Sequence, residues 1–378
     1  MKWSELGPSR FLSVAAVLAL SAATVPAAWS VVPPKNGEAV QSKLAAQSLL
    51  IDAARAGKRM VAVGEYGDVV LSDDEGKTWR QAKKVPVTIT LASVFFVDDK
   101  KGWAVGHDTT IITTNDGGET WTKQYGGGEH QQALLSVFFK DATHGIAVGA
   151  FNMTVETSDA GKTWTERQTL MPPHEPPKAK PEDFNADPTA PRVVSPDDDP
   201  FATTGADENH LNSLFAGPDA NTFFVAAEGG AVYRTGDGGA TWKKILTGYI
   251  GSFWGGVTAK DGTIYVTGMR GNIWRSTDGG NKFAKVDTSG ADQSIANGIQ
   301  LVDGSMVFVG LGGQVLYSPD GLKYTLTYRA DRKALSDIIQ DGDRLYSFGE
   351  AGVLAQSTTP PPDEIEVEVP ATPAPPAP

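Results

Sequence analysis

The 378-residue chain contains no cysteine. Disulfides, thiol nucleophiles and cysteine-ligated zinc are therefore excluded. Histidine is scarce, with five residues, and charged residues make up 21% of the chain. Cations are outnumbered: the formal net charge is -12. Such a chain has no electrostatic reason to bind nucleic acid or an anionic membrane surface. There is no Gly-x-Ser-x-Gly elbow and no Gly-x-x-x-x-Gly-Lys loop, which removes the usual signatures of serine hydrolases and P-loop nucleotide enzymes. One long apolar run exists, Phe11 to Ala28, preceded by Lys2 and Arg10. Basic start, apolar centre and small-residue end are the marks of a secretory signal peptide, cleaved near Ala27. The alternative is an uncleaved anchor. Either reading places the rest of the chain in the periplasm or cell envelope.

What is abundant is glycine, 42 residues, and a motif that uses it. "LSDDEGKTWR" opens at Leu71, "TTNDGGETWT" at Thr113, "TSDAGKTWTE" at Thr157 and "RTGDGGATWK" at Arg234. "RSTDGGNKFA" at Arg275 and "YSPDGLKYTL" at Tyr317 are worn copies. The consensus Ser/Thr-x-Asp-x-Gly-x-Thr-Trp is an Asp box. Its opening residue, or the equivalent, falls at Ser72, Thr114, Thr157, Thr235, Ser276, Ser318 and Ser357. The steps are 42, 43, 78, 41, 42 and 39 residues. The long one hides an insertion of about 36. Each copy follows short alternating apolar runs separated by Gly and Asp, the signature of strands and hairpins. A repeating unit of this length and pattern is a four-stranded propeller blade. The reading is an all-β, seven-bladed β-propeller over residues 49–359.

The box itself reads as structural. Asp74, Asp116, Asp159, Asp237 and Asp278 can accept backbone N–H groups in a tight turn. Gly76, Gly118, Gly161, Gly239 and Gly280 supply positive φ. Trp79, Trp121, Trp164 and Trp242 are apolar anchors between neighbouring blades. A calcium loop would need several carboxylates and a closing glutamate, which these turns lack.

Blade seven lacks an outer strand within its own repeat. The favoured donor is the N-terminal segment around 31–40, within residues 29–48; the other is "EIEVEV" at 364–369. Residues 360–378 form a proline-rich tail. Residues 171–209 form an acidic, proline-rich insertion between blades 3 and 4 with too little apolar pattern to fold alone. It reads either as a docking arm or as a tolerated insertion.

In a propeller the turns between second and third strands share a face with the connections between blades. That loop face is the candidate binding surface. It carries Glu65, Tyr66, His107, Asp108, Phe151, Asn152, Glu228, Arg270 and Glu350 on the turns. The connections add His130, Gln131, His210, Asn212, Trp254, Gln293 and Arg332. The three histidines raise the question of a metal, but nothing in their spacing makes them converge, and no metal or cofactor is expected.

"SVFFVDDKKGWAVGHDTTIITTNDGGETW", from Ser93 to Trp121, and its copy from Ser136 to Trp164 resemble the repeat of the photosystem II stability/assembly factor family. That family recurs in non-photosynthetic bacteria as exported proteins. The resemblance implies a monomeric, non-catalytic scaffold or assembly factor for a membrane or periplasmic protein. Relatives in such bacteria stand beside envelope transporters of the resistance-nodulation-division type, which suggests a partner class. Photosynthetic members carry an arginine-rich recognition patch; here Arg270 and Arg332 alone fall on the face, so the photosystem partner is not carried over. Two rivals remain open: a sialidase-like or other glycoside hydrolase, and a small-ligand-binding channel. The first needs an arginine cluster introduced by Arg-Ile-Pro, which is absent. Glu65, Asp108, Glu228 and Glu350 are the carboxylates that a two-carboxylate glycosidase would use.

Overall fold

A computed structural model describes residues 37–127, 131–167, 170 and 209–357. The signal segment, the insertion up to residue 208, His130 and the C-terminal tail lie outside the described residues. No helix among the described residues is long and apolar enough to cross a membrane.

Among the described residues seven antiparallel sheets follow one another along the chain, six of four strands and one of three. Each is a blade. In blade 1 the strands are Leu50–Ala56, Arg59–Gly64, Val69–Ser72 and Arg80–Gln81. Their lengths fall from the inner edge to the outer. The second strands are buried along almost their whole length, as in Gly102–Gly106 and Met306–Gly310, where all five residues are buried. A strand with sheet neighbours on both sides and blades above and below has no wet face, so its residues past the first are small or apolar.

The inner strands form a closed ring: each packs on the next, and that of blade 7, Leu335–Asp341, packs on that of blade 1. Closure leaves no open inner edge. The apolar core is laid down between blades. Trp103 and Val105 of blade 2 pack with Phe139, Ala147 and Trp164 of blade 3, and the Trp103 and Phe139 rings stack at 3.5 Å. Met60 and Val70 of blade 1 pack with Tyr346 and Phe348 of blade 7, so the last blade seals against the first as the others do.

A polar ring runs through these seams. Every inner strand is irregular at its second residue, and the residue after that break is Asp52, Ser93, Ser136, Ser213, Gly255, Asn297 or Asp337. Several of these reach the next blade. Asp52 accepts the Val94 N–H at 2.7 Å, Ser136 Oγ that of Leu214 at 2.9 Å, and Asp337 that of Ala53 at 2.9 Å. Asn297 donates to Asp337 at 2.7 Å. Small polar side chains here satisfy backbone donors that the break strips from the ladder.

Candidate functional site

Two faces result from the strand alternation, and their chemistry differs. On one lie the Ser/Thr-x-Asp-x-Gly turns. Ser72 Oγ accepts the Gly76 N–H at 2.8 Å; Asp74 accepts the Thr78 N–H at 2.9 Å and its hydroxyl at 2.7 Å. Asp116, Asp159 and Asp237 repeat the pattern with Thr120, Thr163 and Thr241. Asp278 accepts the Asn281 and Lys282 N–H groups instead. The hydroxyl and N–H of Thr241 hold the Asp237 carboxyl down to about 2. Gly76, Gly118, Gly161, Gly239 and Gly280 all have φ between 75° and 97°.

The tryptophans finish the turn as well as filling the seam. Trp79, Trp121 and Trp242 donate Nε1–H to the carbonyls of Gly76, Gly118 and Gly239. Trp79 meets Phe348 of the preceding blade edge-on at 5.7 Å. Trp164 packs against Phe139 of its own blade. The Ser/Thr hydroxyls and Asp carboxylates of the motif are thus used within their own turns, while the buried Trp164 Nε1–H has no partner among the described residues.

The opposite face is built differently. In blades 2 to 5 the turn between second and third strands is braced by the connection leaving the same blade. Thr109 N–H bonds to Gln132 O, Asn152 N–H to Asn209 O, Gly230 N–H to Gly251 O and Gly271 N–H to Gln293 O. This order places the turns of blades 1 to 7 successively around the channel mouth. At the apex of six of them the backbone is left-handed: Tyr66, Asp108, Phe151, Gly229, Arg270 and Gly312 have φ of 53–67°. Four of these six carry a side chain, where the conformation costs about 1–2 kcal/mol each. Arg332, on the blade 6 to 7 connection, is also left-handed at φ 55°. Tyr66 and Phe151 are 68% and 56% exposed. Non-glycine residues held in a costly conformation with aromatic side chains in water point to function rather than to folding.

Neighbours on this face form small groups. Phe151 lies 4.9 Å from the His210 ring, and His210 Nδ1 is 2.8 Å from Glu228. The Arg332 guanidinium stacks on Tyr328 at 3.9 Å. Arg329 pairs with Asp331 at 2.9 Å and Lys333 with Glu350 at 2.5 Å. That ion pair draws the Glu350 carboxyl below its ordinary range. The cationic sector of blades 6 and 7 therefore holds Arg329 and Lys333 beside Arg332. The sequence reading passed over both because they flank the turn rather than occupy it.

Placement sorts the remaining candidates. His107, Asp108, Gln131, Arg270, Gln293 and Glu350 are exposed. Glu65 is half-buried and accepts the Leu49 N–H at 3.2 Å. Three expectations need correction. Asn152 is 5% exposed, because it is the second left-handed residue of its turn and folds under Phe151. Asn212 sits in the inner strand Leu211–Ala216, and its amide donates across the seam to Ser252 Oγ and Phe253 O at 2.9 and 2.7 Å. Trp254 likewise lies in an inner strand, Phe253–Thr258, half-buried. Among the described residues no three His, Asp or Glu side chains are grouped to hold a metal. Glu65, Asp108, Glu228 and Glu350 stand on four different blades.

The sequence reading missed the seam carboxylates Asp52 and Asp337. They are hydrogen-bonded to each other at the junction of blades 1 and 7, and both are raised above the usual range by burial, Asp337 also by the charge of Asp52. The signal was present as a small polar residue in one slot of nearly every repeat.

A cleft of about 530 Å³ opens between blades 3 and 4 on the turn face. Its cations are already engaged, Lys140 with Gly238 O and Arg167 with Glu156 and Gly239 O. It is remote from the loop-face groups.

These features define a seven-bladed β-propeller with a repeated structural turn on one face and a varied, partly strained face opposite. Residues 81–130 match the family described as photosynthesis system II assembly factor YCF48. A curated relative, the photosystem II assembly protein Ycf48 of Thermosynechococcus vestitus, is 42% identical over 41 residues, 11% of this chain and 12% of that protein. Two solved structures share the fold. "YCF48 bound to D1 peptide" has a TM-score of 0.61 at 16% identity, covering 86% of this chain and 98% of that one. YCF48 from Cyanidioschyzon merolae has a TM-score of 0.56 at 17% identity, covering 82% and 96%. The family match and the curated relative are thus alike to one stretch of this chain, and the two solved structures share its fold.

Proposed function

We propose that this propeller is a non-catalytic scaffold that binds a segment of another protein through its loop face. The observation that carries the reading is the set of left-handed apices, Tyr66, Asp108, Phe151 and Arg270, with two aromatic rings exposed. The match to an assembly-factor family and a structural neighbour titled as peptide-bound support it. Exposed aromatics on a rigid ring supply contact area at low entropic cost, and the cationic sector adds orientation. The leader-like pattern of Phe11 to Ala28 favours an exported chain, with a partner in the periplasm or membrane. An envelope transporter of the resistance-nodulation-division type is the partner class that the family resemblance suggests.

The test is in-cell crosslinking of the tagged protein with mass spectrometry, beside a Glu228→Ala, Arg270→Ala, Arg332→Ala variant. One envelope protein captured by the parent and lost from the variant is the expected result. Equal capture by both would remove the loop face from the account. Absence of any partner, together with hydrolysis of a glycan substrate, would replace scaffolding with catalysis.

A further inference from the structure

On the turn face most seams between blades are closed by one recurring device. One position of the second strand, fixed by its register with the inner strand, faces the next blade. It holds Trp103 opposite Phe95, Phe224 opposite Phe215, Tyr265 opposite Val257 and Tyr346 opposite Ile339. Each of these rings covers the Asp-box glycine of the following blade. A Cβ on Gly76 would overlap the Tyr346 ring, one on Gly280 the Phe224 ring and one on Gly321 the Tyr265 hydroxyl. The Tyr346 hydroxyl also donates to Glu75 O at 2.7 Å. Trp103 acts through Gln124: its Nε1–H donates to Oε1 at 3.1 Å, and that oxygen occupies the space above Gly161. Blade 1 covers Gly118 with two aliphatic residues instead, Val61 and its cross-strand partner Leu71.

The seam between blades 3 and 4 lacks the device. Ile146, opposite Phe138, holds the slot, and its partner on the third strand is Glu156. Glu156 turns to Arg167 at 2.8 Å. Neither residue covers the glycine of blade 4: a Cβ on Gly239 would meet only Phe223 of its own blade within 4 Å, at 3.5 Å. The seat that a ring of the preceding blade fills elsewhere is therefore open among the described residues, and the cleft of about 530 Å³ is that opening. Small-molecule sites commonly enclose about 300–1,000 Å³.

The lining says what the seat accepts. Phe138 and Phe223, with ring centroids 5.0 Å apart, give it apolar aromatic walls beside Ile146. Its carboxylates are engaged, Glu156 with Arg167 and Asp237 with Thr241 of its own turn. Lys140 is not neutralised. It has a single contact, to Gly238 O at 3.3 Å, and no ion pair among the described residues. An ammonium carries three donors, so two remain. His144 lines the same cleft with Nδ1 held by Asp141 at 2.9 Å, which leaves Nε2 as its open nitrogen. An empty ring-sized seat with aromatic walls thus lies beside an uncompensated cation. Aromatic contacts and a charge-assisted hydrogen bond are the two attractions it offers.

We propose that this cleft binds a small aromatic molecule bearing an anionic group, its ring in the seat that Tyr265 and Tyr346 fill in their own seams and its charge facing Lys140. The site lies on the turn face, so it is independent of the loop-face partner. The probe is 4-hydroxyphenylacetate, a tyrosine-like ring with a carboxylate, titrated into the full chain by ligand-observed NMR. Tyramine, which has the same ring and a positive charge, and cyclohexylacetate, which has the charge without the aromatic ring, are the controls. The probe is expected to bind several-fold more tightly than either control. Ile146→Tyr, which supplies the missing ring from the protein itself, is expected to weaken the probe at least tenfold and to raise the melting temperature. Lys140→Gln is expected to weaken the probe several-fold and to abolish the preference over tyramine. No binding of the probe at millimolar concentration overturns the proposal, and so does binding that is unchanged in Ile146→Tyr. If Ile146→Tyr fails to fold, Lys140→Gln decides: a preference over tyramine that survives it also overturns the proposal.

Discussion

The two faces of this propeller use their turns to opposite ends. On one, Thr114, Asp116, Gly118 and Thr120 close a turn in which each polar atom has a partner within four residues. Glycine stands wherever φ is positive in the box, save where Glu75 and Ala160 precede the glycine. On the other face, positive φ falls on Tyr66, Phe151 and Arg270, whose side chains reach into water. One set of turns repeats because the architecture repeats. The other varies because nothing in the architecture asks for a tyrosine, a phenylalanine or an arginine there.

Substitution should separate the two faces. The largest effect is expected from Trp121→Ala, which empties a 1%-exposed site and strips a hydrogen bond from Gly118 O. A loss of about 3–5 kcal/mol in denaturant unfolding is expected. Asp116→Ala removes the acceptor for Thr120 at a solvent-facing turn and should cost about 1–2 kcal/mol. Tyr66→Gly and Phe151→Gly should move stability the other way, by up to about 1 kcal/mol, since glycine relieves the left-handed strain. A loss of more than 2 kcal/mol in either would show that these rings hold the fold, and the contrast between faces would fail.

The pH profile sharpens the same contrast. Turn carboxylates such as Asp237 have a folded value below the unfolded one, so their stabilisation is present above about 4. It is lost as pH falls through about 2. The seam pair Asp52 and Asp337 is shifted upward by burial, so the folded state binds more protons than the unfolded one. Its penalty grows as pH rises above the ordinary carboxylate range. Asp52→Asn keeps an acceptor for Val94 N–H and can donate to Asp337. The variant should melt higher than the parent at pH 8 and show a flatter alkaline limb. An unchanged limb would mean that the pair does not set it.

The blades were legible because each repeat states the same pattern of alternation, glycine and Asp box. Even the worn copy at Ser318 keeps its strand, since alternation outlasts the motif. Which face each turn joins followed from strand parity alone. What parity does not reveal is depth. Asn152 and Asn212 are polar residues beside loops, and only the left-handed pair at Phe151–Asn152 and the seam to Ser252 put them inside. Arg329 and Lys333 flank Arg332 on one connection, Arg329 paired within it to Asp331 and Lys333 reaching Glu350 on the blade 7 turn, a relation no spacing rule reports. Asp52 and Asp337 lie 285 positions apart in sequence and meet because the ring closes.

The most direct measurement places a photo-crosslinking amino acid at Tyr66 or Phe151, and separately at Lys77 or Asn281 on the turn face, in growing cells. The account predicts one envelope protein captured from the first two positions and none from the second two. Capture from Lys77 or Asn281, with nothing at Tyr66 or Phe151, would contradict it.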